Sequence, residues 1–229
     1  MKEKGKFIVI EGTDGSGKAT QLGFLQQRLE QEGRRVEAAD FPQYYDTFFG
    51  RTVGRFLKGE FGGLDEVDPH LASLTFAGDR WQAKEKIERW LSQGIIVVTN
   101  RYATSNMAHQ TAKLPEEKRE KFLRWLEELE YEVYKIPRED LVVFLHVPVK
   151  IGQQLVNDKG ERGYIGGEKR DIQEADLAHL KGAESMYLLL AKRNENWVQI
   201  ECCDEKGNLL SREKIHELIY LALQERNII

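Results

Sequence analysis

The sequence predicts an α/β fold, a mostly parallel five-stranded sheet with helices on both faces, and three observations predict it. Five short β-type runs alternate with helix-patterned stretches along a chain of 229 residues, the order that lays crossover helices on both faces of a parallel sheet. The first run, Phe7-Ile8-Val9-Ile10, is apolar at every position, as a strand covered on both faces must be. Directly after it comes the glycine-rich turn EGTDGSGKAT, residues 11–20, and then a helical stretch. A chain of this length can bury one large core and is short for two, so a single domain over 1–229 is expected.

The elements follow in order. The first strand is placed at Lys6–Ile10 and the helix after the turn at Gln21–Glu32. Val36–Asp40 is the second strand, and Phe41-Pro42 marks its end. Pro69–Ser92 reads as a long helix, since proline is tolerated in a first turn. Ile95–Thr99 is the third strand. Glu116–Lys135 is a second long helix, with Phe122, Leu126, Leu129, Val133 and Ile136 at helical spacing and the charges around them on a solvated face. Leu141–Val147 and Trp197–Cys202 complete the sheet, and a final helix closes the chain. Asn157–Gly167, NDKGERGYIGG, holds too many glycines for a helix and precedes Glu168-Lys169-Arg170-Asp171. It is either an ordinary surface loop or, given the glycine-rich turn, a short cationic lid over about 157–171.

Composition narrows the partners. With 34 Lys and Arg against 38 Asp and Glu the net charge is −4, which disfavours a general nucleic-acid binder. The N-terminal apolar run is too short for a signal peptide or a membrane span, so no membrane association and a cytoplasmic location are expected. Cys202 and Cys203 are adjacent in a strand-like run, where alternate residues face opposite sides, and a disulfide between them is not expected. None of the five histidines pairs with another His or Cys at metal-ligand spacing.

The turn carries the chemistry. A buried strand ends, Gly12, Gly15 and Gly17 let the backbone wrap an anion, and the next helix begins with open N–H groups. Lys18 stands where its ammonium reaches the β- and γ-phosphates in the pattern G-x-x-x-x-G-K-[ST]. A P-loop NTPase-type sheet binding ATP through Gly12, Thr13, Asp14, Gly15, Ser16, Gly17, Lys18, Ala19 and Thr20 is the reading this supports, beside the plainer one of a tight strand-to-helix turn. Ala19 stands where the pattern expects a hydroxyl for Mg²⁺. Thr20 is about a hundred degrees further round the helix and is a poor substitute.

Three further clusters suggest an acceptor that is itself a phosphate: Asp40-Phe41-Pro42-Gln43-Tyr44, Phe76-Ala77-Gly78-Asp79-Arg80, and Asn100-Arg101-Tyr102-Ala103-Thr104-Ser105-Asn106. Two supply an arginine for phosphate oxygens and the first supplies rings. Taken singly, Phe41-Pro42 could end a strand, Phe76 could be core, and Arg80 and Arg101 could pair with surface carboxylates.

In EGTDGSGK, FPQY, FAGDR, NRYATSN and the glycine-rich stretch ending in KRDIQEAD, the chain resembles the thymidylate kinase family over nearly its whole length. The resemblance implies transfer of a phosphoryl group from ATP, with Mg²⁺, to dTMP, and a homodimer built through helices. It implies that Phe76 stacks on thymine, that Arg80 and Asn106 bond its edge, and that Arg101 holds the acceptor phosphate. Phe41 and Tyr44 would line the sugar-phosphate side and Asp14 would approach the 3′-hydroxyl or a metal-bound water. His109 would disfavour a ribose 2′-hydroxyl, unless it is a helix residue facing solvent. Lys18, Arg101, Asp14 and a lid cation would do the catalysis, with Arg162 preferred over Lys169 and Arg170. Asn100 departs from the family's usual Asp, which with Ala19 puts the metal site in question and leaves Glu11, Asp14, Asn100 and Glu174 as metal candidates, mostly through water. The alternatives are a kinase of another nucleoside monophosphate or of a deoxynucleoside, with Glu11 as base, and a nucleotide-binding protein that has lost catalysis. Leu71, Leu74 and Ala77 fit either a core face or an interface.

Overall fold

The computed structural model describes residues 4–157, 171–174 and 176–229. The lid expected over about 157–171, with Arg162, Lys169 and Arg170, lies outside these residues save at its two ends. Five parallel strands, β1 (Phe7–Glu11), β2 (Val36–Asp40), β3 (Ile96–Asn100), β4 (Leu141–His146) and β5 (Trp197–Glu201), form one sheet in the order β2-β3-β1-β4-β5. The expected strands are all present, and two run further than apolarity suggested. The ladder pairs Ile10 with Asn100 and Glu11 with Phe144, because main-chain bonding continues past the last apolar side chain.

Alternation through the pleat divides the core in two. Phe7 and Val9 join Ile87, Leu91, Met107, Leu126 and Tyr187 on one face. Ile8 and Ile10 join Leu25, Leu29, Ile219 and Leu223 on the other. The first layer is supplied by α3 (Pro69–Ser92), α4 (Ala103–Ala112), α5 (Glu116–Glu127) and α7 (Leu177–Arg193), the second by α1 (Lys18–Gln31) and α8 (Arg212–Glu225). The shorter helices α2 (Phe48–Leu57) and α6 (Val149–Asn157) lie beside the carboxyl ends of the strands in sequence. Helix starts follow the capping rules: Asp68, with Pro69 behind it, accepts from the His70 N–H, Thr47 from Gly50, Asp176 from His179 and Ser211 from Lys214. Among the described residues, no helix is long and apolar enough to cross a membrane.

One expectation fails in an instructive way. The helix predicted over Glu116–Lys135 is α-helical only to Glu127 and continues as a π-helical turn, Glu128–Val133. Phe122, Leu126, Leu129 and Ile136 are buried as expected, but Val133 is 61% exposed. A π-turn has more residues per turn than an α-helix, so the inward face slips along the chain. The side chain it brings in is Glu130, which is fully buried.

Candidate active site

The loop between β1 and α1 is built on backbone that only glycine adopts without strain. Gly12, Gly15 and Gly17 have φ of 149°, 84° and 87°. Space forbids a side chain as well: a Cβ on Gly15 would lie 2.2 Å from the Gly152 carbonyl oxygen, because α6 packs directly against the loop. Gly17 is the N-cap of α1 and no side chain caps it, so the first-turn N–H groups are not claimed by a capping side chain. Lys18 is buried, and its Nζ donates to the carbonyls of Gly12 (3.0 Å) and Thr13 (2.9 Å). Its ammonium is thus laid back across the turn. Thr13 and Ser16 are buried, Asp14 and Thr20 half-buried and Ala19 exposed.

Two cavities open at this edge of the sheet, where β1, β2 and β3 end. One is lined by Gly15, Gly17, Lys18, Ala19, Asp40 and Asn100. The other, of about 530 Å³, is lined by Phe76, Arg80, Asn106, His109, Asp171 and Gln173. Asp14, Phe41, Pro42, Tyr44 and Arg101 line both. The loop and the three acceptor clusters, separated in sequence, therefore meet around one junction.

Arg101 is fixed at that junction. It stands in the left-handed region, φ 64°, which β-strand continuation would forbid, and its N–H bonds the Ile10 carbonyl (3.0 Å). Its guanidinium donates to Asp14 (2.5 Å), Ser105 Oγ (3.2 Å), His109 Nε2 (3.2 Å) and Tyr187 Oη (3.4 Å). His109 is 5% exposed and does not face solvent. Burial first, then the charge of Arg101, holds its pKa well below the ordinary imidazole range.

Glu11 is corrected as a metal or base candidate. It is fully buried, and each oxygen accepts two hydrogen bonds: Oε1 from Tyr102 N–H (3.0 Å) and Thr104 Oγ1 (2.7 Å), Oε2 from Ser105 Oγ (2.7 Å) and Tyr187 Oη (2.8 Å). A carboxylate has about four acceptor sites, and these are taken. Glu11 pins the start of α4, hence Arg101, to the sheet. Glu174 is also buried and accepts from the Asp171 N–H (3.4 Å). Burial and the neighbouring Glu174 raise the Asp171 pKa to about 7.

At the far end of the second cavity, Arg80 donates through Nε and Nη2 to Glu130, with side chains 3% and 0% exposed. Asn106 Nδ2 donates to the Ser73 carbonyl (3.1 Å) and to Glu130 (3.2 Å), and its Oδ1 is buried without a partner among the described residues. Phe76 is half-buried and meets Phe56 edge-on at 6.0 Å. Phe41 is 3% exposed and packs against Tyr102 at 5.6 Å, so its ring is more wall than contact. Asp79 accepts from the Gln43 N–H (2.8 Å) and Thr47 Oγ1, tying the segment after β2 to α3.

Sequence reasoning missed Glu130, Asp40, Asp79, Gly152 and His179. Asp40 and Asp79 lay inside quoted motifs, Asp40 at the end of a strand and Asp79 next to Arg80, and those positions were the available signal; nothing local marked Glu130 or His179. Asn100 Nδ2 donates to Asp40 (2.8 Å), a carboxylate that accepts only, so Asn100 Oδ1 points elsewhere, buried without a partner. Among the described residues, no group of three or more His, Cys, Asp or Glu is placed to hold a metal ion alone.

Residues 10–213 match the sequence family described as Thymidylate kinase. The human thymidylate kinase is 29% identical over 215 residues, 93% of this chain and 87% of its own length. That of Plasmodium falciparum is 34% identical over 173 residues, 76% of this chain and 74% of its own. The solved thymidylate kinase of Candida albicans is similar in fold, with a TM-score of 0.74 at 20% identity over 100% of this chain and 95% of that one.

Proposed function

The chain belongs to the thymidylate kinase family and phosphorylates dTMP to dTDP, and we propose that ATP with Mg²⁺ is the donor, bound in the glycine-loop cavity, while dTMP fills the adjoining one. The observation that carries this assignment is the junction: Arg101 and Asp14 line both cavities, so a phosphate in each would meet beside one guanidinium. Thymine presents an acceptor at O4 and a donor at N3. Asn106 Oδ1 supplies the acceptor and the Arg80 Nη1 group, the one not engaged by Glu130, supplies the donor. Cytosine reverses both and leaves two buried polar groups unpaired, at about 1–3 kcal/mol each. Phe76 stacks on the ring, and Phe41, Tyr44 and His109 close the sugar side.

No base is needed, because the attacking phosphate oxygen is ionised at neutral pH; alignment and charge neutralisation suffice. Arg101 offsets repulsion between the phosphates and Lys18 stays with the moving phosphoryl group. A deoxynucleoside kinase would need a base, and Glu11 has no acceptor site left for one. We read the chain as one cytoplasmic domain that pairs as a homodimer through helices, a reading supported by exposed Leu71 and Trp81 on α3. A coupled ADP assay over dTMP, dUMP, UMP, CMP, dGMP and thymidine tests the whole reading. Strong preference for dTMP is expected; turnover of CMP or thymidine at a comparable rate would overturn the base-edge and phosphate assignments.

The residues near Ala19 fit a hydrated Mg²⁺ that arrives with ATP. Asn100 Oδ1 is an unpaired buried acceptor, and the exposed Asp40 carboxylate beside it supplies the charge that Asn100 lacks. Bound there, the ion would neutralise charge developing on the β–γ bridge. Asp40→Asn is expected to weaken Mn²⁺ binding to the enzyme–ATP complex several-fold by electron paramagnetic resonance and to raise the Mg²⁺ concentration for half-maximal rate. Unchanged Mn²⁺ affinity would remove Asp40 from the metal site.

A further inference from the structure

Among the buried titratable groups, His179 has no place in the mechanism above, and its neighbour His109 has only that of closing the sugar side. His109, on α4, is 5% exposed, and His179, in the first turn of α7, is 7% exposed. His109 Nε2 lies 3.2 Å from Arg101 Nη1, and His109 Nδ1 lies 3.4 Å from His179 Nε2. The protons in this chain can be placed by elimination. A guanidinium only donates, so His109 Nε2 must accept and carries no hydrogen. A neutral His109 then has its hydrogen on Nδ1, which donates to His179 Nε2; His179 must in turn carry its own hydrogen on Nδ1. The backbone fixes the far end, since Asp176 caps the His179 N–H at 2.8 Å.

Both rings stay neutral at working pH. Burial and Arg101 depress His109, and burial with Lys113 lowers the His179 pKa to about 4 against the opposing pull of Asp176, Asp14 and Asp65. The other groups facing His109 are Asp14, whose charge opposes the depression, Lys18, whose charge adds to it, and Tyr187, whose ring stands edge-on at 5.7 Å.

We propose that His179 is a positioning residue: it selects the Nδ1–H tautomer of His109, which makes His109 an acceptor and thereby aims the Arg101 guanidinium at the acceptor phosphate. Arg101 alone disfavours hydrogen on Nε2, but without His179 the buried Nδ1–H has no acceptor, so the alternative tautomer gains population, sets one donor against another at Arg101 and turns the guanidinium away. The effect on phosphate binding rests on the assignment of Arg101 to the acceptor phosphate; the tautomer does not.

The test uses the full chain labelled with ¹⁵N-histidine. In the parent, His109 is expected to show a protonated Nδ1 and an unprotonated Nε2, and in His179→Leu a mixture of tautomers. The dTMP KM is expected to rise about fivefold in His179→Leu, the loss of roughly one hydrogen bond, with kcat changed less than twofold. His179→Gln, whose amide oxygen can accept from His109 Nδ1, is expected to restore both tautomer and KM. A protonated His109 Nε2 in the parent, or a His179→Leu enzyme with the parent's tautomer and KM, would overturn the proposal. A failure to be rescued by Gln would do so too. An Arg101→Ala enzyme that binds dTMP as tightly as the parent would overturn the phosphate assignment instead, a result independent of the histidine spectra.

Discussion

Lys18→Ala is expected to lower kcat about a thousandfold while the protein remains folded. Removing one preorganised donor to a developing anion costs about 10²–10³ in rate, and a full charge placed on a transferring phosphoryl group is worth at least as much. Two features of this chain leave little to compensate. The loop has only Gly15 and Ser16 between Asp14 and Gly17, so no second cation lies within it, and Ala19 removes the hydroxyl that would otherwise help hold the metal. Stability should change little, because among the described residues the bonds lost are those to the carbonyls of Gly12 and Thr13, each worth about 1 kcal/mol net, and the substitution also removes the desolvation cost of a buried ammonium. Lys18→Arg should not rescue the rate: the planar fork cannot lie across the turn as the ammonium does. Single-turnover rates with dTMP and ATP, beside the melting temperature and ATP affinity, separate the cases. A loss of less than tenfold in the chemical step would remove Lys18 from the transition state.

The features legible in the sequence are those written locally. The five strands, the long helix Pro69–Ser92 and the loop were each marked by a run or a spacing within a few residues, and the strand and helix bounds in the fold either agree or differ by one position. Two of the acceptor clusters were legible too, because they follow β2 and β3 and strand ends in a parallel sheet converge at one edge, while the third, Phe76–Arg80, lies on α3. What was not legible is the set of buried polar pairings. Glu130 meets Arg80 across 50 residues, His109 meets His179 across 70, and Glu11 meets Tyr187 across 176. Periodicity carries no information about such partners. A glutamate in a charged helix defaults to solvent, and here the π-turn overrides the helical spacing that pointed to Val133. Glu11 misled for the same reason: a carboxylate next to a phosphate loop suggests a metal, and only the fold reveals four donors already on it.

Glu130→Ala is expected to destabilise the protein by about 3–5 kcal/mol, the loss typical when one partner of a buried ion pair is removed, and to weaken dTMP binding at least tenfold. Arg80, 3% exposed, would keep a charge with no counterion, and Asn106 Nδ2 would lose one of its two acceptors. Both side chains would then seek other partners and leave the positions from which we propose that they meet thymine. Glu130→Gln should be milder: an amide oxygen in the Oε1 position still accepts from Arg80 Nη2 and Asn106, but the charge is gone and its NH₂ opposes Arg80 Nε. The double variant Arg80→Met with Glu130→Leu separates stability from recognition. Replacing a buried pair by apolar groups of similar volume is often neutral, so denaturant unfolding should return near the parent's midpoint. Affinity for dTMP should not return, because the donor for O4 is gone. If Glu130→Ala cost under 1 kcal/mol with unchanged dTMP affinity, the pair would be a bystander. If the double variant recovered dTMP affinity together with stability, Arg80 would serve only to neutralise Glu130. The expected pattern, stability recovered and affinity lost, means that the π-turn carries a carboxylate into the core to hold a base-reading arginine in place.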